Sequence, residues 1–240
     1  MNSNYPLAAA MINQLNRVDM LSNNLANANT NGYKQTSMTE GTFNNYLTKA
    51  HKHSPLISKL NTINNNVPKL DSKFTNEELG SLVQTGNGLD FALKHKDTFF
   101  KVQNSNGEIV LTRDGSFKVV DNLLVTSENL PVLSAQNEPI EIEEGEEFAN
   151  LIGVVRTNFN NLEKMGNNNY TIISQNETEN LADDNTQYIL NGTLEKSNVN
   201  AVNTMVALID AHRRFEQSQK AIQSLGEMSS TLLEKIGSNK

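Results

Sequence analysis

Cysteine is absent from the 240 residues, so disulfides and thiolate chemistry are excluded, and tryptophan is absent too. Aromatic residues make up 6% and hydrophobic residues 37%, which allows a real but modest core. No apolar run approaches the length that crosses a bilayer. No block of lysine or arginine exists, and the net charge is -7, so neither a nucleic-acid partner nor an anionic membrane surface is expected. The opening residues Met1-Asn2-Ser3-Asn4-Tyr5-Pro6 lack a basic segment followed by an apolar one, so no cleavable secretion signal is expected.

Two apolar periodicities at opposite ends of the chain are present instead. Leu7, Met11, Leu15, Val18 and Leu25 recur at helical spacing, as do Val202, Met205, Ile209, Phe215, Ile222, Leu225, Leu232 and Ile236. Such a stripe cannot be buried by a lone helix, so each needs a partner helix from its own chain or a neighbour. An assembly subunit is the expectation.

The pattern divides the chain into four zones. Residues 1–32 carry the N-terminal helix, opened by Pro6 and stopped by Asn29-Thr30-Asn31-Gly32. Residues 33–78, rich in Asn, Thr, Ser and Lys, read as an extended connector. Residues 79–188 read as a β domain in which Phe99–Gln103, Ile109–Thr112 and Phe117–Val120 form a meander, with Asn106-Gly107 as a type I′ hairpin turn. Residues 189–240 read as a long helix running from about Leu194, capped by Ser197 or Asn198. The fold class is therefore α+β: terminal helices paired in a coiled-coil-like way flank an all-β domain.

Candidate chemistry is sparse. His51 and His53 form a lone His-x-His pair in a polar connector, short of the further ligands zinc requires. Gly86-Asn87-Gly88 lacks the lysine of a phosphate loop and reads as a turn. The run Glu141, Glu143, Glu144, Glu146, Glu147 reads as a solvated loop rather than a carboxylate pair or calcium site. No nucleophile elbow or zinc-protease helix pair occurs. No enzyme, metal or cofactor is expected. On the last helix Asp210, Arg213, Arg214 and Glu216 can pair along the surface or select a neighbouring helix.

Three segments resemble those of one family. Asp19-Met20-Leu21-Ser22-Asn23-Asn24-Leu25-Ala26-Asn27-Ala28-Asn29-Thr30-Asn31-Gly32-Tyr33-Lys34 resembles the N-terminal signature of the bacterial flagellar rod and hook proteins. Leu194-Glu195-Lys196-Ser197-Asn198-Val199-Asn200-Ala201-Val202, continuing to Arg213-Arg214-Phe215-Glu216, resembles their C-terminal signature. Between them, Leu82 to Leu93 and Leu111-Thr112-Arg113-Asp114-Gly115-Ser116-Phe117 are similar to the rod-protein β domain.

This resemblance implies a non-enzymatic axial subunit of the basal body, whose paired terminal helices line a tube beneath an outer β layer. The implied assembly interface comprises Leu15, Val18, Asn23, Asn24, Leu25, Asn27, Asn29, Val199, Val202, Val206, Ile209, Arg213, Phe215 and Ile222. For the asparagines the alternative is simple helix termination. For Val202, Val206, Ile209 and Phe215 it is plain core of the helix pair. Implied partners are further copies, other rod and hook proteins and the flagellar export apparatus. No extra segment of the distal-rod kind is found in residues 33–78, which favours a proximal-rod subunit over a distal-rod or hook one. Outside the family, the alternatives are a binding module that uses its C-terminal helix in a groove, and a hydrolase built on the acidic run.

Overall fold

The computed structural model describes residues 4–42, 68–142, 149–181 and 187–237. His51, His53, Glu143, Glu144, Glu146 and Glu147 lie outside the described residues. Among the described residues two α-helices, α1 (Asn4–Ala26) and α2 (Ala201–Gly237), bracket fourteen strands. The chain divides into two compact units, one of residues 1–25, 36–74 and 200–240, the other of residues 26–35 and 75–199.

The first unit contains both helices and a two-stranded sheet of β1 (Thr36–Thr42) and β2 (Pro68–Thr75). The expected connector thus carries sheet at both its ends. In β2 charged Lys69, Asp71 and Lys73 alternate with Leu70, Ser72 and Phe74, a period of two inside an otherwise polar composition, and Pro68 takes the first strand position, where its missing donor costs least. α2 begins later than expected. Residues 189–200 hold two short strands and a link, and the cap is Asn200, whose Oδ1 accepts the Asn203 N–H at 2.9 Å, rather than Ser197 or Asn198.

The second unit is built on a six-stranded antiparallel sheet. Its strands are β5 (Thr98–Gln103), β6 (Ile109–Thr112), β9 (Val154–Arg156), β10 (Leu162–Gly166), β11 (Asn169–Ile172) and β12 (Glu179–Leu181), in the order β10-β11-β6-β5-β9-β12. Two-stranded ladders pair β3 (Leu82–Gln84) with β14 (Thr193–Glu195), β4 (Phe91–Leu93) with β13 (Ile189–Asn191), and β7 (Lys118–Val120) with β8 (Leu123–Val125). The meander expectation therefore fails after its first hairpin: β5 and β6 pair, but β7 leaves the sheet and β9 takes the other edge of β5. Side chains along β5 alternate between two cores. Phe100 and Val102 join Phe91, Phe117, Leu124 and Ile152 on one side, while Phe99 meets Phe159 and Tyr170 on the other, with ring centroids 5.1 and 5.8 Å away.

Turn chemistry also differs from expectation. The β5–β6 hairpin closes with the Gly107 N–H donating to Asn104 O at 3.0 Å, and of Asn106 and Gly107 only the glycine has positive φ (83°), so this is not a type I′ turn. The type I′ signature, two successive residues at positive φ, falls on Asp121 and Asn122 between β7 and β8 (52° and 64°) and on Asn167 and Asn168 between β10 and β11 (47° and 60°). At Asp114-Gly115 the glycine serves close approach: a Cβ there would lie 1.8 Å from Phe91 O.

Candidate assembly site

α2 carries two apolar faces. Helical geometry places Val202, Met205, Val206 and Ile209 on one side, and these residues are 48–72% exposed. On the opposite side Thr204, Leu208, Ala211, Phe215, Ser218, Ile222 and Leu225 follow one another in alternating steps of four and three, the spacing of a coiled-coil seam. Thr204 and Ala211 are buried and the others half-buried. The single stripe expected from sequence is thus two. The six residues from Ile209 to Phe215 advance about 240° around the axis, which changes face. Val202, Val206 and Ile209 are accordingly not core of the chain.

On α1, Ile12 and Leu15 are exposed with Asp19, Ser22, Asn23 and Ala26, whereas Val18 and Leu25 are half-buried. Asn24 is engaged within its own chain. It is fully buried, its Nδ2 donates to Thr36 O at 2.7 Å and its Oδ1 accepts the Thr36 N–H at 2.9 Å, so the amide caps strand β1 like a neighbouring backbone. Asn27 forms the helix-ending turn, accepting from Thr30 through both its main-chain and side-chain oxygens. Val199 is buried, and Asn29 and Arg213 are exposed. His212 and Glu216, 3.4 Å apart, pair along α2, in a place where the expectation was Asp210, Arg213 and Arg214 with Glu216.

The most organised polar constellation lies within the second unit and was missed by sequence reading. Glu195, at the end of β14, receives Lys34 Nζ on Oε1 at 2.7 Å and Arg113 on Oε2, from Nη2 at 2.6 Å and Nε at 2.8 Å. All three side chains are buried, and the Gly80 N–H donates to Oε1 at 3.0 Å. Remaining donors are satisfied by main-chain oxygens: Lys34 Nζ reaches Glu78 O at 2.6 Å, and Arg113 Nη1 reaches Thr98 O at 2.7 Å and His95 O at 3.0 Å. The backbone joins the same arrangement, with Gly32 N–H donating to Glu195 O at 2.7 Å and Gln35 N–H to Asn198 Oδ1 at 2.7 Å.

Electrostatics follow from this burial. Desolvation, reinforced by the Arg113 charge and opposed by Glu195, lowers the Lys34 ammonium from 10.5 to about 8. Lys164, whose Nζ donates to Lys34 O and lies 3.9 Å from the Tyr33 ring centroid, is lowered to about 8 by burial. Burial raises the nearby Tyr170 phenol. One carboxylate shared by two cations holds chain segments together, and removing one member of such a group leaves an uncompensated buried charge. Among the described residues no cluster of histidine, aspartate and glutamate suited to a metal ion occurs, and no helix is long and apolar enough to cross a membrane.

Three family models match the chain, and each contributes one member of this group. Residues 6–34, which include Lys34, match the family "Flagella basal body rod protein". Residues 96–171, which include Arg113, match "Flagellar hook protein FlgE/F/G D1 domain". Residues 190–235, which include Glu195, match "Flagellar basal body rod FlgEFG protein C-terminal". Among curated relatives, the flagellar basal-body rod protein FlgF of Rhizobium meliloti is 30% identical, covering 88% of this chain and 92% of that protein. The FlgF of Mesorhizobium japonicum is 27% identical over 99% and 98%, and the FlgG rod protein of Borreliella burgdorferi 28% over 95% and 96%.

Proposed function

With the chain a member of the flagellar basal-body rod protein family, and so a structural subunit of the basal body, we propose that it polymerises through α1 and α2 into the axial tube of the rod, which transmits torque and carries export. The observation behind this reading is the outward face of α2. Val202, Met205, Val206 and Ile209 present a contiguous apolar stripe to solvent, and a stripe of this kind on a helix is stabilised by a neighbouring helix. Ile12 and Leu15 offer the matching apolar positions on α1. The heptad-spaced face from Thr204 to Leu225 suits a coiled-coil-like pairing of the two terminal helices, and the outward faces then serve contacts between subunits. A contact between different faces of identical subunits builds a helical tube when its rotation does not close into a ring.

The partners in this reading are further copies and other rod and hook proteins, with delivery by the flagellar export apparatus. A proximal place in the rod is favoured by residues 33–78, in which no extra segment of the distal-rod kind is found. The alternative is a distal-rod or hook-like subunit. Electron microscopy of basal bodies from a strain lacking the gene, beside one carrying Val206→Pro, tests the role. Proline inside α2 removes a backbone donor and clashes one turn back at about 3 kcal/mol or more. Both strains are expected to stop before a complete rod and to lack the hook; intact rods and hooks in the deletion strain would refute the axial role.

A further inference from the structure

The chain contains four Asn-Gly dipeptides, at 31–32, 87–88, 106–107 and 191–192, and the fold treats one of them differently. Three have the glycine amide tied down: Gly32 N–H donates to Glu195 O at 2.7 Å, Gly107 N–H to Asn104 O at 3.0 Å, and Gly192 N–H to Asp90 O at 2.8 Å. Among the described residues, the Gly88 N–H makes no hydrogen bond. Asn87 and Gly88 are exposed in the turn that leads from β3 to β4. The Asn87 side chain is held over this turn, with Oδ1 accepting the Leu89 N–H at 3.4 Å and Nδ2 donating to Asp90 Oδ1 at 3.1 Å.

From this difference we infer that Asn87 is the chain's site of spontaneous deamidation. The Gly88 nitrogen, losing its proton to solvent hydroxide, attacks Cγ of Asn87; the new C–N bond closes a succinimide, and the side-chain nitrogen leaves as ammonia. Water then opens the ring at either carbonyl, so asparagine and water become aspartate or isoaspartate and ammonia, without redox change. The other three glycine nitrogens must first give up a hydrogen bond before they can attack, which requires local opening. A bonded N–H is also the weaker acid. At position 87 these barriers are missing, and the Leu89 N–H polarises the carbonyl that is attacked.

The product alters the fold locally. Asp90 is buried, its Oδ2 accepts Thr85 Oγ1 at 2.6 Å and its main-chain oxygen accepts Gly192 N–H. Replacing the Asn87 amide by a carboxylate turns the donor to Asp90 into a like charge, so the turn that anchors Thr85 and Gly192 loosens. Asn87→Asp is therefore expected to raise hydrogen exchange at Thr85 and Gly192, relative to the unaltered chain.

Peptide mapping by mass spectrometry tests the site. The full-length purified chain is aged folded at mildly alkaline pH, and deamidation is followed at the four dipeptides, with the urea-unfolded chain as reference. Asn87 is expected to convert about tenfold or more faster than Asn31, Asn106 and Asn191, the factor that ~1.4 kcal/mol of opening represents. In urea the four rates converge. Gly88→Ala is the control variant: a Cβ there meets nothing within 4 Å, so the chain folds and the fast site disappears. Equal rates in the folded chain, a faster Asn106, or an undiminished rate at Asn87 in Gly88→Ala would overturn the inference.

Discussion

Lys34 and Glu195, distant in sequence, meet in a buried ion pair of 2.7 Å, just after α1 ends at Ala26 and just before α2 begins at Ala201. The second oxygen of the same carboxylate holds Arg113 from the β domain. The three segments that carry the family resemblance thus share one polar core.

Glu195 should matter more than either cation. Glu195→Ala leaves Lys34 and Arg113 facing each other without a counter-ion, and a loss of about 3–5 kcal/mol is expected in urea unfolding. Lys34→Met leaves the carboxylate bound to Arg113 and to the Gly80 N–H, so a smaller loss of about 1–3 kcal/mol is expected. Equal losses would show that the carboxylate is not the centre of the group.

Glycines 80 and 88 should respond oppositely to alanine. A Cβ at Gly80 would lie 1.8 Å from Lys196 O, a rigid main-chain atom, and would separate the strands around Glu195. Gly80→Ala is expected to cost about 2 kcal/mol or more. Gly88→Ala, in open space, is expected to be neutral or to stabilise by about 0.4–1 kcal/mol. Thermal unfolding of the two variants checks the contrast.

Stability should rise with pH between about 8 and 10. Lys34 and Lys164 each release their proton near 8 in the folded chain, against an ordinary 10.5, so over this window the unfolded chain binds more protons and loses ground as pH increases. Above the ordinary lysine value of 10.5 the trend reverses, because the phenol of Tyr170 ionises more easily unfolded than buried. Urea midpoints measured across this range should show the rise, reduced in Lys164→Met. A midpoint falling steadily from pH 8 would contradict the burial of both ammonium groups.

Much of this was legible locally. Helical spacing gives α1 and α2, and period-two alternation gives β5 and β6, because each pattern repeats within a few residues. The two faces of α2 were blurred, since the six-residue step from Ile209 to Phe215 looks periodic in a string but is not on a cylinder. β2 was hidden by polar composition, although Lys69, Asp71 and Lys73 alternate correctly. Lys34, Arg113 and Glu195 were not found as a group. Single charges that pair over long range leave no periodic signal, and the only available hint was a charge set beside apolar or glycine neighbours, as in Leu194-Glu195.

The two faces of α2 should separate assembly from folding. Val206→Asp places a charge on an exposed site and is expected to change monomer stability by no more than about 0.5 kcal/mol while blocking polymerisation. Ala211→Leu overfills a buried site on the opposite face and is expected to cost about 1–3 kcal/mol. Urea unfolding with a swimming assay distinguishes the two effects.

The most direct measurement is photo-crosslinking in flagellated cells, with a benzophenone amino acid placed at Val206 in one strain and at Ala211 in another, and products identified by mass spectrometry. If the outward face of α2 joins subunits, Val206 yields adducts with a second copy or another rod protein, and Ala211 yields adducts within its own chain only. Adducts between subunits at Ala211, with none at Val206, would contradict the assignment of that face.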